Sequence, residues 1–599
     1  MCDIQCKGKI PASVRQKLFD GIKNLEAMPS MRALMTAGPA LERDNAAGYN
    51  CTGLVLDDIA AFDEALYLLM CGCGVGYSVE RQYVAKLPRV ADRLRPSKTV
   101  IKVEDSRIGW ANALRELISM LYQGRIPEWD MSLIRPKGAR LETFGGRASG
   151  PAPLEDLFRF LVHKFGQAEG RKLNSLECHD IMCKIADAVV AGGVRRSALL
   201  SLSNPSDDRM RHAKAGNWWD TEPQRALANN SACYTERPGM DVYIREWLAL
   251  YDSKSGERGI FNREAVTNQA AKSGRRDTNY EFITNPCSEI IFRSCGMCNL
   301  SEVVVRPGDT IKTLKRKIEL AVILGSMQAT LTNFRYLRDE WKQNAEEEAL
   351  LGVSLTGILD NDLLAGRKGK RELTNALIQL REYAVMINKR WAKKLGINQA
   401  VAVTCVKPSG TVSQLVNASS GIHPRHSHWF MRTVRAHKTD PLARMMVEMG
   451  FPVEDDVTKP EQTWVFSFPI AAPENAVTYQ EFTALEQLEL WKVYQNAWCE
   501  HKVSMTVHVH EHEWMRVGSW VYDNFDIISG IAFLPATTHS YRQAPYQECT
   551  EAEYHKAMTE MPKVDWATLR EYESDDEFSS RHTREFACTA GACEVVDLA

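Results

Sequence analysis

The sequence holds 18 tyrosines, and no two of them are adjacent. No apolar run approaches the roughly 20 residues that a membrane-spanning helix requires. The opening residues, Met1-Cys2-Asp3-Ile4-Gln5-Cys6-Lys7, have no apolar core of the kind a secretion signal carries. Neither charge sign is in excess: 74 basic residues face 76 acidic ones, for a net charge of −2. That balance argues against bulk electrostatic binding to nucleic acid, which needs a concentrated basic surface, while leaving room for a local phosphate pocket. The 16 cysteines in 599 residues are too sparse for a disulfide scaffold. Without an export signal they read as thiols in a reducing cytoplasm, some of them catalytic.

Complete metal-ligand sets are missing too. Cys71 and Cys73 have no second Cys/His pair at zinc spacing nearby. His423, His426 and His428 form one histidine group, and His508, His510 and His512 form another. The alternating second group predicts one wet face of a strand, and no acidic or cysteine ligand completes either set. No metal site is assigned.

What is present is ordinary in bulk, with 25% charged and 44% apolar residues, as expected of a globular enzyme. The distinctive stretch is Asn285-Pro286-Cys287-Ser288-Glu289-Ile290, with Cys298 eleven residues beyond Cys287. Pro286 fixes its own φ and biases Asn285 toward an extended backbone, so Cys287 is predicted on a presented loop tip. Within a closed pocket, Asn285 and Glu289 would flank a substrate while the thiol does the chemistry.

Along the chain, Val14, Leu18, Ile22 and Leu25 predict a short surface helix over 12–27. Residues 49–58 read as a strand, leading into a helix over 59–70 and the glycine-rich run Cys71-Gly72-Cys73-Gly74-Val75-Gly76-Tyr77. Those glycines allow backbone to approach a ligand or a neighbouring element closely. Trp110, Leu114, Leu117 and Leu121 predict an amphipathic helix over 103–123, capped at Asp105-Ser106. Residues 187–200 read as a helix end, a glycine loop with Arg195 and Arg196, and a strand. Residues 311–348 and 372–395 are predicted helical. A β-rich run, 400–406, ends in Lys407-Pro408-Ser409-Gly410-Thr411-Val412-Ser413, where a strand and a small-residue turn opening a helix would make an anion site. Residues 527–535 read as a last buried strand. The charged tail from about 571 ends near Cys588-Thr589-Ala590-Gly591-Ala592-Cys593 and is predicted mobile.

Asn-Pro-Cys-x-Glu-Ile with a second cysteine eleven residues on resembles the finger loop of ribonucleotide reductases. From about residue 29 to the end, five separated motifs follow that family's order. The resemblance implies a ten-stranded α/β barrel of two five-stranded halves, with the finger loop threading its centre. The residues by themselves support mixed α/β alternation. It further implies Cys287 as the radical thiol, Glu289 as base toward the ribose 3′-hydroxyl, and Asn285 holding the 2′ and 3′ hydroxyls. Cys51 and Cys298 would form the redox pair, re-reduced by Cys588 and Cys593 through thiol–disulfide exchange with a thioredoxin-like reductant. Ser30, Asn50, Gly74, Pro408, Ser409, Gly410 and Thr411 fall at substrate-binding positions. Asp58, Arg195 and Arg196 fall where a deoxynucleotide effector is read.

The missing tyrosine pair separates this chain from the oxygen-dependent reductases and points to the adenosylcobalamin-dependent class acting on ribonucleoside triphosphates. The region 103–150 resembles the insertion of the single-chain enzymes, which favours a monomer, with a dimer as the other option. The implied organisation is a short helical segment 1–28, a barrel 29–570 with an insertion at about 84–180, and a redox tail 571–599. Related reductases carry a longer helical region before the barrel, so a truncated, split or compact variant is expected. Two rivals remain: an oxygen-dependent large subunit needing a radical-generating partner, and a silent nucleotide-binding regulator. The five cysteines in place argue against the second.

Overall fold

Five runs of small and apolar residues form parallel strands, each buried as a strand covered on both faces must be. They are β1 (Cys51–Val55), β2 (Gly74–Ser78), β3 (Leu199–Ser203), β4 (Ala228–Tyr234) and β5 (Gly259–Asn262). They pair in that order. A helix, Ala60–Met70, connects β1 to β2, and another, Met240–Ser253, connects β4 to β5. The computed structural model describes residues 6, 8–139, 148–191, 194–195, 197–457, 459–536 and 542–574. It adds the backbone of the short strands Glu585–Phe586 and Val595–Val596.

The second half runs the other way. It contains β6 (Gly296–Val304), β7 (Leu351–Thr356), β8 (Thr506–Val509) and β9 (Gly530–Pro535), with β6 parallel to β7 and β8 parallel to β9. The β-rich run forms no continuous strand, yet residues 402–406 fill the gap between β7 and β8. Cys405 N–H donates to Val353 O at 3.1 Å and Val353 N–H to Val403 O at 2.8 Å. On the other side Val406 N–H donates to Lys502 O at 3.1 Å and Ser504 N–H to Val406 O at 2.9 Å. Parallel bridges Val353–Thr404 and Val406–Val503 mark the same two contacts. The halves meet at two antiparallel seams, β1 with β6 and β5 with β9. Five positions on each side thus make the expected ten-stranded α/β barrel.

Most helices fall where periodicity places them: Ala12–Lys23, Ala60–Met70, Arg107–Tyr122 capped by Ser106, and Lys370–Leu395. The predicted helix over 311–348 is two, Ile311–Gln328 and Asp339–Glu348. Between them, Tyr336 bonds Asp63 and Arg338 grips buried Glu64, so tertiary pairing overrides local helix preference. The strand expected to carry alternate histidines ends at Val509. Residues Glu511–Glu513 turn into a 3-10 helix in which the His510 and His512 rings stack, so only His508 lies on the strand.

Inside the barrel a hairpin, Ile283–Thr284 with Ile291–Phe292, carries the finger loop. Its apolar residues Ile283, Ile290, Ile291 and Phe292 pack with Leu300, Leu350 and Phe282. Each such side chain contributes about 1.5–3 kcal/mol on burial. The glycines of β2 make room for the hairpin. A Cβ at Gly76 would lie 1.7 Å from Thr284 O, and one at Gly74 would lie 2.9 Å from the Pro286 ring. The glycine run therefore serves close packing against a neighbouring element, one of its two predicted uses.

Candidate active site

The loop tip is a tight turn in which Ser288 N–H donates to Asn285 O at 2.9 Å. Asn285 is fully buried and works in both directions. Its Oδ1 accepts from Ile290 N–H at 2.9 Å, and its Nδ2 lies 3.2 Å from Cys51 Sγ. Cys51 Sγ in turn lies 3.8 Å from Glu289 Oε1. Cys51 and Cys298 are direct partners across the β1–β6 seam. Opposed residues in such a seam have Cβ atoms about 4.5–5.5 Å apart, close to what a disulfide spans. No disulfide joins them in this structure.

Cys287 sits at the tip with its thiol bare toward a cavity of about 290 Å³. The cavity lies between the loop, β4, β5 and β9, and its lining includes Ser288, Asn230, Gly259 and Phe533. The thiol is exposed to this interior space while the barrel surrounds it. Removal from bulk water, with Glu289 nearby, pushes its pKa up to about 12, so it stays a thiol at neutral pH. Burial also holds Cys51 and Cys298 well above the ordinary thiol range, reinforced by Glu289. All three sulfurs are thereby kept protonated, which suits hydrogen-atom and electron transfer better than nucleophilic attack.

Glu289 is fully buried, and its Oε2 has no partner among the described residues. A buried, unbonded carboxylate oxygen beside a cavity is a place waiting for a donor. Burial raises its pKa, against the Asn285 hydrogen bond and the charge of Lys407. Asn50 Oδ1 is likewise buried and unbonded, and Asn50 O accepts from Gly74 N–H at 2.8 Å.

Lys407, which the sequence analysis quotes only as part of the turn, stands between the loop and that turn. Its Nζ lies 3.3 Å from buried Glu302. Burial disfavours its ammonium, but Glu302 and Glu289 outweigh that and hold it above the ordinary lysine range. Its place directly before Pro-Ser-Gly was the available signal. Lys502, also unassigned from sequence, donates to Ser288 Oγ at 2.8 Å.

The turn 408–411 follows. Ser409 is buried, and its Oγ accepts from Ser413 N–H at 2.9 Å. The N–H groups of Gly410 and Thr411 find no acceptor among the described residues, and both residues are exposed. The helix that the turn opens, Val412–Leu415, is a single turn, so its dipole adds less than a full helix would. Ser30 is buried and spends its hydroxyl capping Met31–Thr36, accepting from Ala33 N–H at 3.1 Å.

The remaining positions lie apart. Asp58 is exposed and accepts from Ala60 N–H at 2.8 Å, beyond the end of β1 opposite Asn50. Arg195 lies on a two-residue strand paired with Val190–Ala191. Arg196, Cys588 and Cys593 lie outside the described residues. Neither residue of the Cys71/Cys73 pair is free for other duty: Cys71 Sγ accepts from Arg107 at 2.8 Å, and Cys73 Sγ approaches Tyr49 O at 3.3 Å.

Residues 79–162 match the family model described as the B12-dependent ribonucleotide reductase insertion domain. The chain is 27% identical to an adenosylcobalamin-dependent ribonucleoside-triphosphate reductase of Euglena gracilis, over 91% of this chain and 75% of that one. A protein of the same name from Lactobacillus helveticus is 26% identical, over 97% and 89%. Among solved structures, a B12-dependent, class II ribonucleotide reductase superposes with a TM-score of 0.79 at 23% identity, covering 94% of this chain and 89% of that one. A class Id ribonucleotide reductase alpha subunit from Actinobacillus ureae superposes with a TM-score of 0.51 at 11% identity, covering 88% and 92%. The resemblance drawn from the finger-loop motifs is borne out along nearly the whole chain.

Proposed function

We propose that this chain, a relative of the B12-dependent ribonucleotide reductases, reduces ribonucleoside triphosphates to 2′-deoxyribonucleotides. The observation that carries the reading is the bare Cys287 thiol in an interior cavity. It shares one loop with the unbonded Glu289 oxygen and lies beside the opposed Cys51–Cys298 pair.

The cavity suits a cofactor that approaches Cys287 directly. Where it borders β9, its lining is Gly530, Ile531, Ala532, Phe533 and Leu534, with no redox-active side chain along that strand to relay a radical from a partner protein. Adenosylcobalamin, when bound, supplies a homolysable cobalt–carbon bond and hence the initiating radical.

The chain's own residues then act as follows. Cys287 gives up its hydrogen atom, and its sulfur takes the 3′-hydrogen of the sugar. Glu289 Oε2 accepts the 3′-hydroxyl proton as general base. Asn285 and Asn50 orient the hydroxyls. The 2′-oxygen leaves as water with a proton from the Cys51–Cys298 pair; the pair delivers its second hydrogen to C2′ and, having supplied two electrons, becomes a disulfide, while Glu289 returns its proton to the 3′-oxygen. Cys287 returns a hydrogen atom to C3′. The balance is one ribonucleotide and one dithiol in, and one deoxyribonucleotide, one disulfide and water out. The exposed amides of Gly410 and Thr411, with Lys407 behind them, receive the phosphates.

The same reading divides the chain into a segment 1–28, a barrel 29–570 with its insertion, and a redox tail 571–599. In it Cys588 and Cys593 regenerate the pair from a thioredoxin-like reductant. Asp58, Arg195 and Arg196 serve a deoxynucleotide effector, and the insertion supports that site within a monomer. The test is an anaerobic assay of the four ribonucleoside triphosphates with adenosylcobalamin and a small dithiol. Deoxynucleotide from at least one is expected, and none from any of the four overturns the reading.

A further inference from the structure

Ser288, the residue between the radical thiol and the base, has φ +63°, in the left-handed region. Serine is ill at ease there, and such a residue persists only when its surroundings hold it. The holding group is Lys502. Its Nζ donates to Ser288 Oγ at 2.8 Å, and its main-chain N–H donates to Glu289 O at 3.0 Å. One residue therefore grips the two residues that directly follow Cys287.

Lys502 is itself unusual. Its side chain is wholly buried, and among the described residues it forms no ion pair within 4.0 Å. Its ammonium rests 4.6 Å from the centre of the Phe261 ring on β5. Facing it from β9 is Gly530, where a Cβ would stand 2.9 Å from Lys502 Nζ and 2.8 Å from Ser288 Oγ. Glu289 on the loop and Cys233 on β4 are the titratable groups that act on it. Burial outweighs both and pushes its pKa down to about 7. A buried lysine without a carboxylate partner costs stability, so its retention here calls for a role.

We propose that Lys502 is a positioning residue for the reaction: by pinning Ser288 in the left-handed conformation it aims Cys287 at the cavity and Glu289 at the sugar. The strap touches the loop and not the nucleotide turn, so it acts on turnover and leaves nucleotide affinity alone. The proposal rests on the radical reading of Cys287, but the strap has a test of its own.

The full-length protein is compared with Lys502→Met, Ser288→Ala, the double variant, and Lys502→Met/Ser288→Gly. Lys502→Met and Ser288→Ala should each lower kcat at least tenfold with KM within twofold. The double variant should lose no more than the worse single, because both cut one link. Glycine accepts positive φ without help, so Ser288→Gly in the Lys502→Met background should regain at least threefold in kcat. A merely structural lysine would not be rescued in this way. Independently of turnover, deuterium exchange in the peptide 285–292 should be at least tenfold faster in Lys502→Met and in Ser288→Ala. If Lys502→Met does not fold, Ser288→Ala decides by the same readouts. A kcat within twofold of the parent, or unchanged exchange, overturns the strap. A parent that makes no deoxynucleotide while exchange changes as expected overturns only the radical reading.

Discussion

Cys51 and Cys298 stand directly opposite one another on the antiparallel seam that joins the two half-barrels. The seam fixes their register through main-chain pairing, so the two sulfurs meet by side-chain rotation with the strands in place. The pair should therefore close into a disulfide once per turnover. In the Cys588→Ser/Cys593→Ser variant, whose tail cannot exchange with the pair, one deoxynucleotide should appear per enzyme without reductant. Alkylation and peptide mapping should then find exactly two thiols missing, at positions 51 and 298. Cys51→Ser or Cys298→Ser should cut deoxynucleotide formation by at least a hundredfold. Loss of any other pair of thiols would contradict the assignment.

Cys287 and Glu289 should separate by pH. Cys287→Ser should leave less than a thousandth of parental turnover at every pH, since a hydroxyl hydrogen is far harder to abstract. Glu289 works as a base only when ionised, and burial raises its pKa above the ordinary 4.5. The parental rate should accordingly rise with pH along an acidic limb centred above 4.5. Glu289→Gln should lower kcat by about a hundredfold, the usual scale for a general base, and abolish that limb. A limb that persists in Glu289→Gln would move the base elsewhere.

His179 should make the fold acid-sensitive. It is wholly buried, with Nδ1 2.8 Å from Tyr77 OH and Nε2 3.6 Å from Cys183 Sγ. Burial, helped by Lys214 and Arg225, pushes its pKa from 6.5 down to about 3. The unfolded chain binds the proton first, so the stability contribution is whole above pH 6.5 and is lost as pH falls toward 3. The slope is about 1.4 kcal/mol per pH unit for one such group. Urea midpoints measured from pH 7 to 5 should fall accordingly, and His179→Gln should flatten the trend.

The tail makes a prediction of its own. The Cys588→Ser/Cys593→Ser double variant should complete about one turnover with a protein dithiol as reductant and many with a small one, which can enter the barrel unaided. Unimpaired multiple turnover with the protein reductant would remove the shuttle role.

Much of the site was legible because it is local in the chain. Pro286 declares the loop tip, the eleven-residue spacing ties Cys287 to Cys298, and periodicity declares most helices. What could not be read depends on partners hundreds of residues away. Lys502 gains its meaning only from Ser288 and Phe261. Residues 402–406 look like a strand but are held by two short ladders, whose partners lie on β7 and just before β8. The break at 329–338 is set by Glu64 and Asp63 on another helix, which no local pattern announces. The histidines at 508, 510 and 512 alternate as a strand would, yet Glu513 caps a 3-10 turn there and ends the strand early.

Gly76 tests whether the hairpin's seat in the barrel is as tight as its geometry implies. A methyl group there would fall 1.7 Å from Thr284 O, a backbone atom on a hairpin stem that cannot rotate away as a flexible side chain could. Either β2 or the stem must shift, and the stem carries Asn285 and Cys287. Overpacking at such a site costs about 3 kcal/mol, the upper part of the usual range. Gly76→Ala should therefore lower the urea midpoint and, in the fraction that still folds, cut kcat at least tenfold by displacing the loop. Gly410, where a Cβ would meet nothing within 4 Å, is the control: Gly410→Ala should leave stability within about 0.5 kcal/mol of the parent. Equal stability losses in the two variants would mean that the hairpin is not seated against β2 as described.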